Sequence, residues 1–315
     1  MFKRKGLMLL AFLMIISMIG LTACSTEATT EGNVEDLETV TITHELGEAT
    51  VVKNPQRVIV FDYATLDSLN QMDVEIIGLP KSNIPAYLGQ YNDNKYEDVG
   101  TLFEPNYEKI YELRPDLILI AGRQRDVYSD LAEIAPTVFL PIDNQDYLGS
   151  FTSNLRVLGE IFEKEDFVNA EINKIETQIS EVNSQVTEAG KNALIIMAND
   201  GALSVYGPNS RFNVIHKEFG YPAADETIEV SNHGQSISFE YILEVNPDII
   251  FVIDRAAVTG GTNGASKVLD NDIVRMTNAY KNHTINYLSS HIWYVASGGL
   301  EGTNIMIEEI SAALK

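Results

Sequence analysis

The chain has 315 residues, 45% of them hydrophobic and 21% charged, and a formal charge of −23. So acidic a molecule repels polyanions, which excludes nucleic acid and anionic lipid surfaces as its main partners. Cys24 is the only cysteine, so no intramolecular disulfide is possible and the packed core alone must stabilise the fold.

The chain opens with Lys3, Arg4 and Lys5, then a short apolar run from Leu7 to Ile19, then Leu21-Thr22-Ala23-Cys24. This is the pattern of a secretory signal ending in a lipobox, with lipid attached at Cys24. The run is too short, and too directly followed by polar sequence, for a permanent transmembrane helix. Loss of residues 1–23 removes three cations and no anions, taking the charge from −23 to about −26. Residues 24–38 are rich in Ser, Thr, Glu and Gly with little to bury, so they read as a flexible tether.

A first lobe is expected over residues 39–163. Val40–Thr43 and Ala49–Val52 flank Gly47 as a β-hairpin, followed by Asn54-Pro55 and a buried strand at Val58–Phe61. A helix over 63–72 and a strand over 76–79 precede a loop-like stretch from Lys81 to Thr101. Helices are expected over 106–113 and 126–134, strands over 117–121 and 137–140, and a helix over 147–162. Short β-branched runs alternating with helices argue for parallel α/β architecture.

From Lys164 to Ala189, apolar residues fall at Val168, Ile172, Ile175, Ile179, Val182, Val186 and Ala189, and no Pro or Gly intervenes before Gly190. Spacings alternating between four and three define one face of a helix roughly 35–40 Å long. A second lobe is expected over 190–315. It has strands at 193–198 and 203–206, a helix at 210–219, a polar loop at 228–235, a helix at 239–245 and a strand at 249–253. A strand at 284–288 and a final helix at 302–314 complete it.

Ile110-Tyr111-Glu112-Leu113-Arg114-Pro115-Asp116-Leu117-Ile118-Leu119-Ile120-Ala121-Gly122-Arg123 is echoed 132 positions later. The echo is Ile242-Leu243-Glu244-Val245-Asn246-Pro247-Asp248-Ile249-Ile250-Phe251-Val252-Ile253-Asp254-Arg255. Each reads as a helix end, a Pro-Asp stop, a buried strand and an arginine. The long helix lies between these alike halves, so it reads as a strut joining two α/β lobes.

Enzyme signatures are lacking: there is no G-x-S-x-G, G-x-x-x-x-G-K, G-x-G-x-x-G or H-E-x-x-H. None of the histidines pair at i, i+4. The arginines carry more information. Arg123 and Arg255 follow equivalent strands at their C-terminal ends, the edge where open α/β sheets bind ligands. Arg211 stands at the start of the helix expected over 210–219, where an anion is favoured. An alternative for each is a simple ion pair with one of the many acids.

The chain resembles the iron-siderophore-binding lipoproteins of bacterial ABC importers, in particular the branch that binds catecholate siderophores of the petrobactin type. The likeness runs from the lipobox to the C-terminus. It is carried by Val60-Phe61-Asp62-Tyr63, Arg114-Pro115-Asp116-Leu117, Ile196-Met197-Ala198-Asn199-Asp200-Gly201, Tyr206-Gly207-Pro208-Asn209-Ser210-Arg211, His233-Gly234-Gln235-Ser236, Val252-Ile253-Asp254-Arg255 and Trp293-Tyr294-Val295-Ala296-Ser297-Gly298-Gly299-Leu300-Glu301. The resemblance implies two α/β lobes, with parallel or mixed sheets flanked by helices, joined by one long helix, and a ligand cleft between them. It implies that Arg123, Arg211 and Arg255 surround an anionic ferric complex. His233 and Tyr294 match positions that ligate iron left unsaturated by the siderophore, and Trp293 matches an aromatic pocket wall. Glu108 and Glu240, also 132 apart, match the carboxylates that dock such proteins onto a permease dimer with its cytoplasmic ATPase. No intrinsic cofactor is implied, since the ferric siderophore is the cargo. Another cargo on the same fold, such as haem, a hydroxamate siderophore or a corrinoid, is the alternative. A neutral ligand would not need three convergent arginines.

Overall fold

In the computed structural model, residues 38–314 are described; the signal segment, Cys24 and all of the tether before Glu38 lie outside them. A hairpin of β1 (Thr39–His44) and β2 (Gly47–Val52) opens the described chain, paired antiparallel with Ile42 opposite Ala49. Five parallel strands form the first sheet: β3 (Val58–Val60), β4 (Gly78–Leu79), β5 (Glu97–Asp98), β6 (Leu117–Ile120) and β7 (Thr137–Phe139), in the order β5-β4-β3-β6-β7. The second sheet is mixed, in the order β10-β9-β8-β11-β12. It comprises β8 (Ala193–Asn199), β9 (Ala202–Tyr206), β10 (Gln235–Ile237), β11 (Ile249–Asp254) and β12 (Ile285–Leu288). Here β8, β11 and β12 are parallel, β9 runs antiparallel to β8, and β10 at the edge runs antiparallel to β9.

The sequence dictates these central strands by being apolar on both faces, as parallel strands covered by helices must be. Successive side chains go to opposite cores. In β3 and β6, Val58, Val60, Leu117 and Leu119 face one core, while Ile59, Ile118 and Ile120 face another. In β11, Ile249, Phe251 and Ile253 alternate in the same way with Ile250 and Val252. The two lobes share the first of these cores. It runs through the linking helix Glu165–Ala189, which buries Val168, Ile172, Ile175, Ile179, Val182 and Val186 and ends at Gly190 with φ 61°. Ala189, expected on that stripe, is exposed in the last turn.

Several local expectations are corrected. The helix expected over 210–219 shrinks to Val214–Lys217. Asn209 takes the left-handed conformation (φ 62°) and its N–H donates to Asn213 Oδ1 at 2.8 Å, so the side chain of Asn213 supports a turn rather than a helix start. Within the expected polar loop, Gln235–Ile237 forms an exposed edge strand, which needs no apolar alternation because only one neighbour covers it. The helix expected over 126–134 divides into a 3-10 turn, Gly122–Val127, and a helix, Tyr128–Ala132. A five-residue π-helical turn, His291–Val295, follows β12.

The final helix, Leu300–Ala312, lies with the first lobe rather than the second. It packs on helix Tyr63–Gln71 and on the linking helix. Its N-terminal donors are met from the first lobe: Gly302 N–H and Glu301 N–H donate to Asp67 at 2.7 and 3.2 Å, and Leu300 N–H donates to Ser68 Oγ at 3.2 Å. Tyr87 Oη also donates to Asp67, and Tyr147 Oη meets Thr303 Oγ1 at 2.8 Å. Burial pushes the Asp67 carboxyl up to about 7, against the pull of the backbone donors. Gly299 is required here because a Cβ would overlap the Asp67 carboxylate. Asp67→Ala should therefore leave buried amides unpaired and destabilise the protein by about 2–3 kcal/mol. Urea unfolding measures this; a loss below about 0.5 kcal/mol would mean that the helix start is held by other groups.

Candidate ligand-binding site

The chain leaves β3 towards β4 on one side, while β6 lies on the other, so the first sheet reverses its order between β3 and β6. Ligands bind beyond the carboxyl ends of strands at such switch points. A cleft of about 560 Å³ lies there, lined by Asp62, Thr65, Gly122 and Arg123 after β3 and β6, and by Arg211, His233, Arg255, Trp293 and Tyr294. An adjoining pocket of about 530 Å³ shares Ile142, Asn144, Arg211 and Asn232 with it.

Each arginine is delivered by a defined local device. Arg123 rides the 3-10 turn after β6, which Gln124 fixes: its buried side chain accepts from Ala121 N–H at 3.1 Å and donates to Leu102 O at 2.5 Å. Arg255 begins the helix Arg255–Thr259, capped by Asp254, whose carboxylate accepts from Ala257 N–H (3.1 Å) and Ala265 N–H (2.7 Å). Asp254 is thus occupied by backbone donors, not by its neighbour. Arg211 sits in the turn before Val214–Lys217, not at a helix N-terminus as expected.

All three guanidinium groups meet at Tyr294. Its carbonyl accepts from Arg123 Nη2 at 2.9 Å and from Arg211 Nη2 at 2.7 Å; its hydroxyl accepts from Arg255 Nε at 2.8 Å. Arg123 also donates to Val295 O at 3.2 Å. The Arg211 guanidinium lies over the Tyr294 ring, 4.3 Å from its centroid. A π-helical turn holds this carbonyl outside regular helix bonding, a common device at functional sites.

Among the described residues none of the three arginines forms an ion pair with a carboxylate, whereas Arg125, Lys109 and Arg275 all do. The simple ion-pair alternative is therefore not what the structure contains. Burial, and then the positive charge of Arg123, push the Arg211 guanidinium below its ordinary range. Asp62, buried in the same cleft, is pushed up by desolvation, with Arg123 pulling the other way. Half-buried cations with neutral partners form a site poised for an anion.

His233 is exposed on the loop before β10 and reaches the same cavity. Trp293 lines it from behind: the residue is 1% exposed, and its Nε1–H donates to Glu309 Oε2 at 2.7 Å. Glu108 and Glu240 lie outside the cleft. Both are exposed in the first turns of helices Tyr107–Leu113 and Phe239–Val245, capped by Asn106 and Ser238. Cys24 lies outside the described residues. Phe103, which lines the cleft from an exposed loop, was not singled out from the sequence, where a lone phenylalanine in a polar loop carries no periodic signal.

Two α/β lobes around a cationic cleft at a switch point define a ligand-capturing protein. A family model described as periplasmic binding protein matches residues 58–291, and the chain belongs to that family. It is a binding protein and not an enzyme. The chain is 42% identical over 311 residues to the petrobactin-binding protein YclQ of Bacillus subtilis (strain 168), covering 97% of this chain and 98% of that protein. It is 34% identical to the ferric-anguibactin-binding protein FatB of Vibrio anguillarum, covering 93% of this chain and 94% of that protein. The crystal structure of YclQ matches with a TM-score of 0.86 at 44% identity, covering 88% of this chain and 99% of that one. The periplasmic catecholate-siderophore binding protein VctP of Vibrio cholerae gives a TM-score of 0.84 at 37% identity, covering 87% of this chain and 100% of that one.

Proposed function

We propose that this protein captures a ferric catecholate siderophore of the petrobactin type in the cleft and delivers it to the permease of an ABC importer. The convergence of Arg123, Arg211 and Arg255 without carboxylate partners carries this reading. A ferric catecholate bears several negative charges spread over planar ligand oxygens. Planar, permanently charged guanidinium forks match such oxygens. The petrobactin, anguibactin and catecholate ligands in the names of the relatives support the same class. Each contact removed should cost roughly 1.5–3 kcal/mol, or about one to two decades in affinity. Titration of Arg123→Ala, Arg211→Ala and Arg255→Ala with a ferric bis-catecholate, read by quenching of Trp293, tests it. Wild-type affinity in all three would remove the assignment.

His233 and Tyr294 complete the coordination of iron(III) when the chelator supplies fewer than six donors. A phenolic oxygen suits this hard ion, and imidazole is acceptable to it. A tetradentate ferric complex should therefore show a shifted charge-transfer band in wild type and not in Tyr294→Phe. Identical spectra would eliminate the role of the hydroxyl.

Glu108 and Glu240 dock the two lobes onto a two-fold permease dimer. The support is their shared place in the repeat, each exposed in the first turn of an equivalent helix. Glu108→Ala/Glu240→Ala should keep full ligand affinity and abolish uptake by cells. Unchanged uptake with normal export would assign docking to other surface acids.

Cys24 carries a lipid that anchors the protein on the outer face of the cytoplasmic membrane. The lipobox motif supports this. Among the described residues no helix is long and apolar enough to cross a membrane. Cys24→Ala should leave the membrane fraction on high-salt washing; retention in full would point to a different anchor.

A further inference from the structure

Phe103 is 67% exposed, although it is a large apolar side chain, and it lines the cleft beside Arg123. Its loop is rigidly built. Gly100 and Pro105 form an antiparallel bridge, and Thr101 N–H donates to Glu104 O at 3.0 Å. Thr101 Oγ1 accepts from Phe103 N–H at 3.2 Å and from Glu104 N–H at 2.9 Å. Leu102, next in the chain, is buried, and its carbonyl accepts the bond from Gln124 described above. Gln124 therefore ties the perch of Phe103 directly to the turn that carries Arg123.

The other aromatic side chains at this cavity are committed elsewhere. Trp293 is 1% exposed, and one face of Tyr294 is covered by Arg211. Among the described residues lining the cleft, Phe103 is the apolar aromatic ring with open access; the other exposed ring, that of His233, is polar. A rigid loop that holds such a ring in water, at the same cleft as a guanidinium without a carboxylate partner, has no folding advantage from doing so. On binding, the same ring loses little conformational freedom, because the loop is already ordered.

We infer that Phe103 is a specificity-determining residue that packs against the aromatic rings of the chelator, offset-stacked or edge-on, and so selects ferric complexes of aromatic ligands. This rests on the reading of the cleft as a ferric catecholate site. The arginines then read the charge of the complex, and Phe103 reads its aromatic surface.

The test uses the mature chain with the ferric complex of a bis-catecholamide chelator as probe. Phe103→Leu should bind about tenfold to a hundredfold more weakly, and Phe103→Tyr should stay within about threefold of wild type. With the diamagnetic gallium complex, the catechol protons should show a ring-current shift in wild type that shrinks in Phe103→Leu and persists in Phe103→Tyr. Equal affinity and equal shifts in wild type and Phe103→Leu overturn the inference while leaving the ligand class intact. If uptake by cells falls in that case, the ring belongs to the permease-facing surface with exposed Tyr107 and Tyr111. If wild type itself does not bind the probe, while a ferric hydroxamate is bound, the ligand class and the inference fall together.

Discussion

A single peptide carbonyl, that of Tyr294, accepts hydrogen bonds from guanidinium groups of two lobes, and the hydroxyl of the same residue aligns a third. Like charges crowded in a partly dry cleft repel one another and lose hydration. Neutral acceptors return some hydrogen bonding without neutralising the field. A carboxylate in the same place would stabilise the empty protein and occupy the anion site. The surrounding acidity makes the choice sharper: in a chain of charge −23, the three guanidinium groups meet peptide and phenolic oxygens rather than carboxylates, and Asp62, the acid that lines the cleft, is pushed up by desolvation. Asp254, adjacent in sequence to Arg255, is neutralised as a competitor by backbone donors. This is the usual pattern in which a functional site departs from what stability alone would select.

The repeat explains how two of the three arginines come to equivalent places. Arg114 and Asn246 end their helices in the left-handed conformation, at φ 46° and 44°. Asp116 and Asp248 then pin the neighbouring strand by accepting from the backbone N–H groups of Arg57 and Asn192. The strands β6 and β11 follow, and an arginine stands in the turn of helix just after each. Arg211 and Tyr294 have no such counterparts, so the site is built from a symmetric pair and an asymmetric completion.

What was legible in the sequence follows from this division. The linking helix was visible because six of its seven stripe residues are buried at helical spacing. Strands β6 and β11 were visible as apolar runs after Pro-Asp, and the repeat made their arginines conspicuous. By contrast, β10 has almost no apolar pattern, and the turn holding Arg211 is supported by a side-chain bond that Asn213 Oδ1 accepts from Asn209 N–H, which leaves no periodic signal. The π-helical turn at Tyr294 leaves no periodic signature over five residues. The final helix was placed with the lobe it follows in sequence. Its true position is decided by Asp67, which lies 235 residues away in the chain from the amide it accepts. Partners so distant are not written in any local window.

The return of the final helix gives the second lobe an unusual status. The described chain starts and finishes on the first lobe, so the second lobe is topologically an insert, tethered by two covalent crossings. One crossing is the linking helix; the other is the stretch from Ser289 to Gly299, which contains Tyr294. Any rocking of the insert must bend or shift that second crossing. The backbone that crosses back to the first lobe and the backbone that aligns the guanidinium groups are therefore the same few residues. A ligand that drew the guanidinium groups away from Tyr294 would thus act on the same backbone that joins the lobes.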